Sequence, residues 1–312
     1  MNRETAYSAP RADLGEAFQQ YLANDVFIAD KVFVPFLSGR KSGTFSAITR
    51  ESIIQSIDAR HANGATFAES QTTPEDVEFV CKDYGIQEPL TNETRENYAA
   101  NGDFQAELVV VKSLTTKLQI AADVRLATAL FNTSTFTGTD LYKDYSSAPW
   151  DTAASDIPAH IQFAMAKVRS NTGMKADTLV VSETTLQSML ANTKVLARFP
   201  GAAAVTADML TENMAALFGL KKLIVGGGVS TLGSDIWADD YAMVCKTADP
   251  GDGLEAPAIG RNIYWDRFAN DSQGWIEQFS DPNRDAEIYR VRHFADSKMI
   301  DPYFGFLLKI DA

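Results

Sequence analysis

The spacing of hydrophobic positions changes several times along this chain, and each change marks a different kind of element. Residues 1–26 carry scattered apolar side chains, Tyr7, Leu14, Phe18, Tyr21 and Leu22. They are too sparse to form a core and suit a segment lying along another surface, so this stretch reads as an arm. Phe27 to Val34 is strand-like up to Pro35, which lacks a ladder donor and belongs at a sheet edge. Ser38-Gly39-Arg40-Lys41-Ser42-Gly43-Thr44 combines turn residues with two positive charges and marks where the chain leaves the body. From Ser46 to about Gln71 the sequence is polar, and its pattern allows only a short helix at 52–57. Val77, Phe79 and Cys81 then alternate with Glu78 and Val80, as in a strand with one packed face. Compact enzymes rarely carry so long an excursion without a purpose.

Next, Phe104, Leu108, Val111, Leu114, Leu118, Ala121 and Val124 recur at helical spacing, with Asp103 available as N-cap and no Pro or Gly before Phe131. The predicted helix over 103–131 would span about 40 Å, more than a small core requires. A linker around Gly138 to Trp150 leads to an α/β module. Ser155 caps a predicted helix with Ile157, Ile161, Ala164 and Val168, ended by Asn171-Thr172-Gly173. The strand Thr178-Leu179-Val180-Val181 passes through Ser182 into a helix with Leu186, Met189 and Leu190. A further helix, Thr206 to Phe218, closes on Gly219 and feeds the strand Leu223-Ile224-Val225 with its Gly226-Gly227-Gly228 exit. Ile236-Trp237 and Tyr241 to Cys245 are strand-like, and Asp249 to Gly260 reads as a surface loop. Ile288 to Phe294 and Tyr303 to Ile310 are the last predicted strands, the second with Phe304, Phe306, Leu308 and Ile310 on one face.

The 312 residues include 45% hydrophobic side chains, ample for one or two folded cores with appendages. The 28 basic against 41 acidic residues give a net charge of -13, which disfavours a broad grip on DNA phosphates or on an anionic membrane. Cys81 and Cys245, far apart and outside any CxxC, indicate neither a disulfide framework nor a zinc site. The start lacks the apolar stretch of a signal peptide, and the longest aliphatic run, at Leu108-Val109-Val110-Val111, is far below a membrane span. A soluble chain made and used in the cytoplasm is the expectation.

Gly226 to Thr231 follows a strand as a dinucleotide-binding turn would, yet Thr231 stands where the third Gly belongs and no helix pattern succeeds it. His61, His160 and His293 have no ligand spacing, and Asp249, Asp252 and Glu255 do not match a calcium loop. Ser182, Ser188 and Ser230 lie in no nucleophile-elbow motif. The expectation is therefore no catalytic, cofactor-binding or metal residues. Arg40, Lys41, Arg50 and Arg60 stand out against an acidic chain. They either steer and register contacts with a neighbour or form a solvated basic loop.

The order of arm, Gly-punctuated ribbon, long helix and α/β module resembles the major capsid proteins of tailed bacteriophages, the Hong Kong 97-type shell fold. Asp177 to Phe199 carries the sharpest likeness, although Lys175-Ala176-Asp177 stands where those proteins commonly have Pro-Asn. The resemblance implies an α+β fold with an N-terminal arm (1–26) and an extended loop with flanking strands (27–83). A peripheral domain (84–155) with its spine helix, an axial domain (156–267) and return strands of the peripheral domain (268–312) complete it. It further implies a structural, non-enzymatic major capsid protein of the virion, assembling through pentamers and hexamers into an icosahedral head. That head encloses double-stranded DNA without specific binding, with no membrane and with portal, scaffolding and decoration proteins as partners. Some shells of this family link a loop Lys to a neighbour's Asn, and Lys41 and Asn283 are the nearest analogues. An encapsulin-like shell around a cargo enzyme shares the fold. The rival of another class is a soluble α/β enzyme holding a nucleotide near Gly226 to Gly228.

Overall fold

The run of residues from Ala106 to Leu130 forms one helix of 25 residues, about 37 Å long. Its two halves pack on different sheets. The computed structural model describes residues 26–48, 50, 54, 60, 74–100, 106–153, 155–198, 207–231, 233–266 and 274–311. The expected arm up to residue 25, the helix start at Asp103 and Phe104, His61 and most of the loop over 49–73 lie outside these residues.

In chain order the elements are α1 (Ala29–Val32), β1 (Pro35–Ser38), β2 (Ser42–Ile48), β3 (Pro74–Val80), β4 (Lys82–Thr91), α2 (Asn92–Ala100), α3 (Ala106–Leu130), β5 (Tyr142–Asp144), α4 (Ile157–Thr172), β6 (Thr178–Ser182), α5 (Glu183–Ala191), α6 (Thr193–Leu196), α7 (Ala207–Phe218), β7 (Lys222–Gly226), β8 (Val229–Thr231), β9 (Ser234–Asp235), β10 (Tyr241–Cys245), β11 (Gly260–Trp265), β12 (Trp275–Asp281), β13 (Ala286–Met299) and β14 (Gly305–Lys309).

Two sheets of five strands organise the body. In the first, β13 pairs with β12, β11 and β4, and β1 lies parallel to β11 at the edge. Leu90, Ile276, Tyr289 and Val291 from this sheet pack on Val110, Val111, Leu114 and Leu118 of α3. The second sheet runs β5-β14-β10-β6-β7. One face, with Val180, Met243 and Leu307, meets Leu126 and Leu130 of α3. The other, with Leu179, Val181, Val244, Phe306 and Leu308, meets Ile157, Ile161, Ala164 and Val168 of α4. Burial on both faces explains why these strands read as continuous apolar runs.

Several expectations need correcting. Ala29–Val32 is a turn of helix, not strand, because the Asp123 side chain accepts from the backbone N–H groups that start it. Asp156, not Ser155, caps α4 by accepting from the Ala159 N–H, while Ser155 bonds back to the Ala148 carbonyl. Ile236-Trp237 is not a strand: the indole is turned inward and buried. The loop after Asp249 ends early, with Ala258 and Ile259 buried and Gly260 opening β11. Phe304 faces the α3 side together with Leu307, opposite Phe306, Leu308 and Ile310. The strands β4, β11 and β12 and the helix α2 have no counterpart among the sequence expectations. Strand pairing also crosses the expected boundaries, since β14 joins the second sheet while β11 joins the first. Residues 268–312 therefore do not return to the peripheral part as one unit.

Candidate assembly surfaces

The sequence offers no reactive constellation, and the features that stand out in the structure are those that project, carry charge or are held in place by buried polar groups. The ribbon comes first. Among the described residues β2 and β3 pair only with each other, from Ser42 opposite Val80 to Ile48 opposite Pro74. Its root is fixed by Phe79, buried beside Phe45, Trp265, Trp275 and Phe294, whereas Val80 on the other face is exposed. That is the alternation expected of Val77 to Cys81. The ribbon is not uniformly basic. Arg40 and Lys41 lie at its root, with the Lys41 ammonium 5.1 Å from the Phe294 ring centroid, and the return strand presents exposed Glu75, Asp76 and Glu78.

The first sheet turns a charged face away from α3. Arg290 pairs with Glu277 at 3.3 Å and donates to Gln87 at 2.7 Å. Arg292 pairs with Glu277 at 3.4 Å and with Asp83, its stem crossing Gly85, where a Cβ would stand 2.7 Å from the Arg292 Cγ. The Trp275 indole N–H donates to Glu277 at 2.9 Å, so that carboxylate serves three partners. The result is a flat, charge-matched surface beside the root of the ribbon.

At the centre, two carboxylates hold α1 in place. Asp123 of α3 is wholly buried and accepts from Ile28 N–H at 3.2 Å, Ala29 N–H at 2.8 Å and the Trp237 indole at 3.3 Å. Asp30 accepts from Asn262 and from the Tyr264 hydroxyl, both at 2.8 Å. Burial pushes both carboxyls above their ordinary range, and it likewise lowers the Arg125 guanidinium nearby. Arg125 stacks on Tyr84, its carbon 3.8 Å from the ring centroid, and reaches His293 at 3.4 Å. Burial, then that guanidinium, pushes His293 down to about 3, so it sits as a neutral ring between Tyr84 and Tyr264. No sequence pattern singles out this cluster. Its one signal is that Asp123 stands at helical spacing with Leu126, Ala127 and Leu130, all buried on α3.

The glycine turn after β7 is packed with protein. A Cβ at Gly226 would stand 2.3 Å from Trp237 Cδ1, and one at Gly228 would stand 3.1 Å from Ile236 Cδ1 and 3.5 Å from an Asp123 oxygen. These glycines admit the indole, and the short hairpin β8–β9 comes next instead of a helix. Ser182 caps α5 and donates to Asp239 at 2.6 Å. Ser188 lies on α5 and Ser230 on β8, so the three serines form no common site. His160 accepts from the Trp150 indole at 3.1 Å and stacks on Tyr145. Asp249 is paired with Lys221 and Lys222 at 3.7 and 3.6 Å, which hold its carboxyl below the usual range. Cys81 and Cys245 are both free and buried. Asn283 sits in the β12–β13 turn, a run of strand away from Phe294 where Lys41 lies, so the two do not meet within one subunit. Among the described residues no three His, Cys, Asp or Glu converge as a metal group, and no helix is long and apolar enough to cross a membrane.

No protein-family model matches the chain, and no curated protein matches it. Solved structures do. A phage-related protein from Bordetella bronchiseptica RB50 is similar at 18% identity and a TM-score of 0.71, over 97% of each chain. A virus-like particle from Pyrococcus furiosus is similar at 9% identity and a TM-score of 0.55, over 95% of this chain and 97% of that one. The capsid structure of the Cyanophage P-SCSP1u is similar at 12% identity and a TM-score of 0.53, over 89% and 86%. At such identities the likeness speaks for architecture, and it spans nearly the whole length: the chain has the α+β Hong Kong 97-type capsid fold.

Proposed function

We propose that this chain is a structural subunit of a closed protein shell, the major capsid protein of a tailed phage head. The observation that carries the reading is the ribbon β2–β3, seven residues a side, about 24 Å of strand. Among the described residues it pairs with no other strand, and it is anchored at its root by one aromatic face and by the Val80 N–H on Asp296. Such an element adds little to one subunit and suits contact between subunits. Exposed large apolar side chains support this by their dispersion over the ribbon, α2, α3, α4 and β8, as Val80, Tyr98, Val109 and Val124, Phe163, and Val229. A subunit gripped from many sides needs many small contacts where an enzyme needs one pocket.

A structural role is the reading supported at the turn where a nucleotide would sit, since Trp237 packs on Gly226 and Ile236 on Gly228. Copies of the chain are the main partners, in pentamers and hexamers of an icosahedral virion head made in the host cytoplasm, with portal, scaffolding and decoration proteins joining them. The second sheet with α4, α5 and α7, most of it within residues 156–267, meets its equivalents around the capsomer axes, and the ribbon and arm join capsomers. A net charge of -13 suits a container that holds double-stranded DNA without adhering to it. Negative-stain images and sedimentation of the purified chain test this. Closed particles tens of nanometres across, or rings, are the expected outcome, and a compact monomer over a wide concentration range would overturn it. An encapsulin-like shell is the second reading, favoured by the likeness to the SrpI encapsulin of Synechococcus elongatus PCC 7942, at 7% identity and a TM-score of 0.51. Co-purified cargo protein in place of DNA would select it.

A further inference from the structure

Two charged doublets, Lys221-Lys222 and Asp239-Asp240, lie at the starts of β7 and β10 in the second sheet. β7 runs parallel to β6 and β10 antiparallel to it, so the doublets emerge at opposite ends of the sheet. The five residues of β6 separate those ends by about 16 Å. More cations gather at the lysine end. Lys175 precedes β6, Lys246 follows β10, and Arg169 stands in the last turn of α4. Lys175, Lys221 and Lys246 line one cleft of about 350 Å³ together with Met174 and Gly219.

The carboxylates around that cleft leave the lysines under-neutralised. Asp177 is buried and accepts from the Thr247 N–H and the Thr178 hydroxyl, both at 2.9 Å, and it reaches Lys246 only at 3.5 Å. Asp249 is shared between Lys221 and Lys222 at 3.7 and 3.6 Å, and Asp252 accepts from the Asp249 N–H. Arg169 and Lys175 are exposed and form no ion pair among the described residues. The cations therefore outnumber these carboxylates, in a chain whose net charge is -13. The other end of the sheet has the opposite sign. Asp240, and Asp235 on β9, are exposed and without an ion pair among the described residues. Glu183 opens α5, Asp239 accepts from Ser182 at 2.6 Å, and Lys309 on that side is taken by Asp144 at 3.9 Å.

We infer that copies of this chain meet head to tail around the capsomer axis, the lysine end of one second sheet against the acidic end of the next. Two unlike patches at opposite ends of one unit make a heterologous contact, which closes into a ring when its rotation allows, whereas a self-complementary patch would give a two-fold pair. Opposite charge steers the two ends together and opposes like ends meeting. The inference rests on the shell reading above and supplies the surfaces by which its rings form.

Charge reversal at the two ends tests it. Lys175→Glu with Lys221→Glu makes both ends acidic, and Asp235→Lys with Asp240→Lys makes both basic. All four positions are exposed, so the free subunit's melt is expected to be nearly unchanged. Each double variant alone is expected to lose ring and particle yield roughly tenfold or more, because like charges then face each other. The four changes in one chain are expected to restore the yield. Mixing the two double variants is expected to give rings of even number, hexamers without pentamers, since the two must alternate. A double variant that assembles as the parent does, or a folded quadruple variant as defective as the doubles, would overturn the pairing. Lysine variants that assemble normally but lose bound DNA would assign those lysines to phosphate and overturn it as well. A parent chain that stays monomeric sinks the shell reading and this inference together, whereas normal parent particles with unaffected variants sink the inference alone.

Discussion

Replacing Asp123 by alanine tests how this fold anchors the start of its body to the spine helix. The substitution strands three buried donors, the N–H groups of Ile28 and Ala29 and the indole of Trp237. Each unsatisfied donor costs about 1–3 kcal/mol. Against that stands a gain, because the ionised carboxylate is itself desolvated, as the upward displacement of its titration shows. The balance is a loss of about 3–5 kcal/mol, the range for a buried charge network broken on one side. At about 2–4 °C per kcal/mol for chains of a few hundred residues, the unassembled subunit is expected to melt roughly 6–20 °C lower. Asp123→Asn leaves one acceptor oxygen and one mispointed NH₂, so it should fall between alanine and the native residue. Thermal melts on unassembled subunits give the energy, and amide exchange at Ile28 and Ala29 gives the location. An alanine variant melting within about 2 °C of the parent, or one with unchanged exchange at those two amides, would show that Asp123 is not what holds α1.

Four further outcomes concern other parts of the chain. His293 sits at about 3, below its ordinary value because of burial. A lowered histidine gives stability that is complete above about pH 6.5 and is lost, at about 1.4 kcal/mol per pH unit, as pH falls towards 3. His293→Gln should therefore flatten the melting temperature between pH 6.5 and 4 relative to the parent, while the raised carboxyls of Asp30 and Asp123 act in the opposite sense in both proteins. Gly226→Ala forces a Cβ onto Trp237 and should cost about 1–3 kcal/mol with a shift in tryptophan emission, whereas Gly39→Ala, with open space around it, should be neutral. Deleting residues 1–25 should leave the subunit's melt nearly unchanged while particle yield drops. Leu118→Asp, a charge on a fully packed position, should unfold the subunit itself at a cost of several kcal/mol.

Legibility in the sequence depends on whether a residue's role is local. The spine helix is legible because α3 carries apolar residues at helical spacing without a break, and β6 with α5 because Ser182 ends an apolar run and caps the helix behind it. β4 carries a fainter signal: Tyr84, Ile86, Glu88 and Leu90 alternate with exposed Asp83, Gly85 and Gln87, but Gly85 and Pro89 disguise the strand. β12 is hidden for another reason. Trp275 and Phe279 face the charged side while Ile276 faces α3, so both faces are apolar in part and no period of two emerges. Asp123 is invisible because its partners at 28, 29 and 237 are remote in sequence. A mid-helix carboxylate with no visible partner reads as solvated. Similarly, Arg40 and Lys41 suggest a basic ribbon only until strand pairing sets Glu75, Asp76 and Glu78 on the return strand.

The spine helix also explains why a subunit with loose appendages can be rigid where it matters. Its first half is seated on the first sheet through Val110, Val111, Leu114 and Leu118, and its second half on the other sheet through Leu126, Ala127 and Leu130. Between the two seats stands Asp123, which ties in α1 and Trp237, and through Trp237 the glycine exit of β7. Both sheets and the start of the body are thus referenced to one rod, and bending between them would break buried hydrogen bonds rather than slide apolar surfaces. The ribbon is held at its root, by Phe45 and Phe79 in the aromatic cluster and by the Val80 N–H, which donates to the Asp296 carboxylate at 3.0 Å. A stiff plate with a ribbon held only at its root is a division that a shell-forming subunit can use, since the plate can set curvature while the ribbon reaches a neighbour.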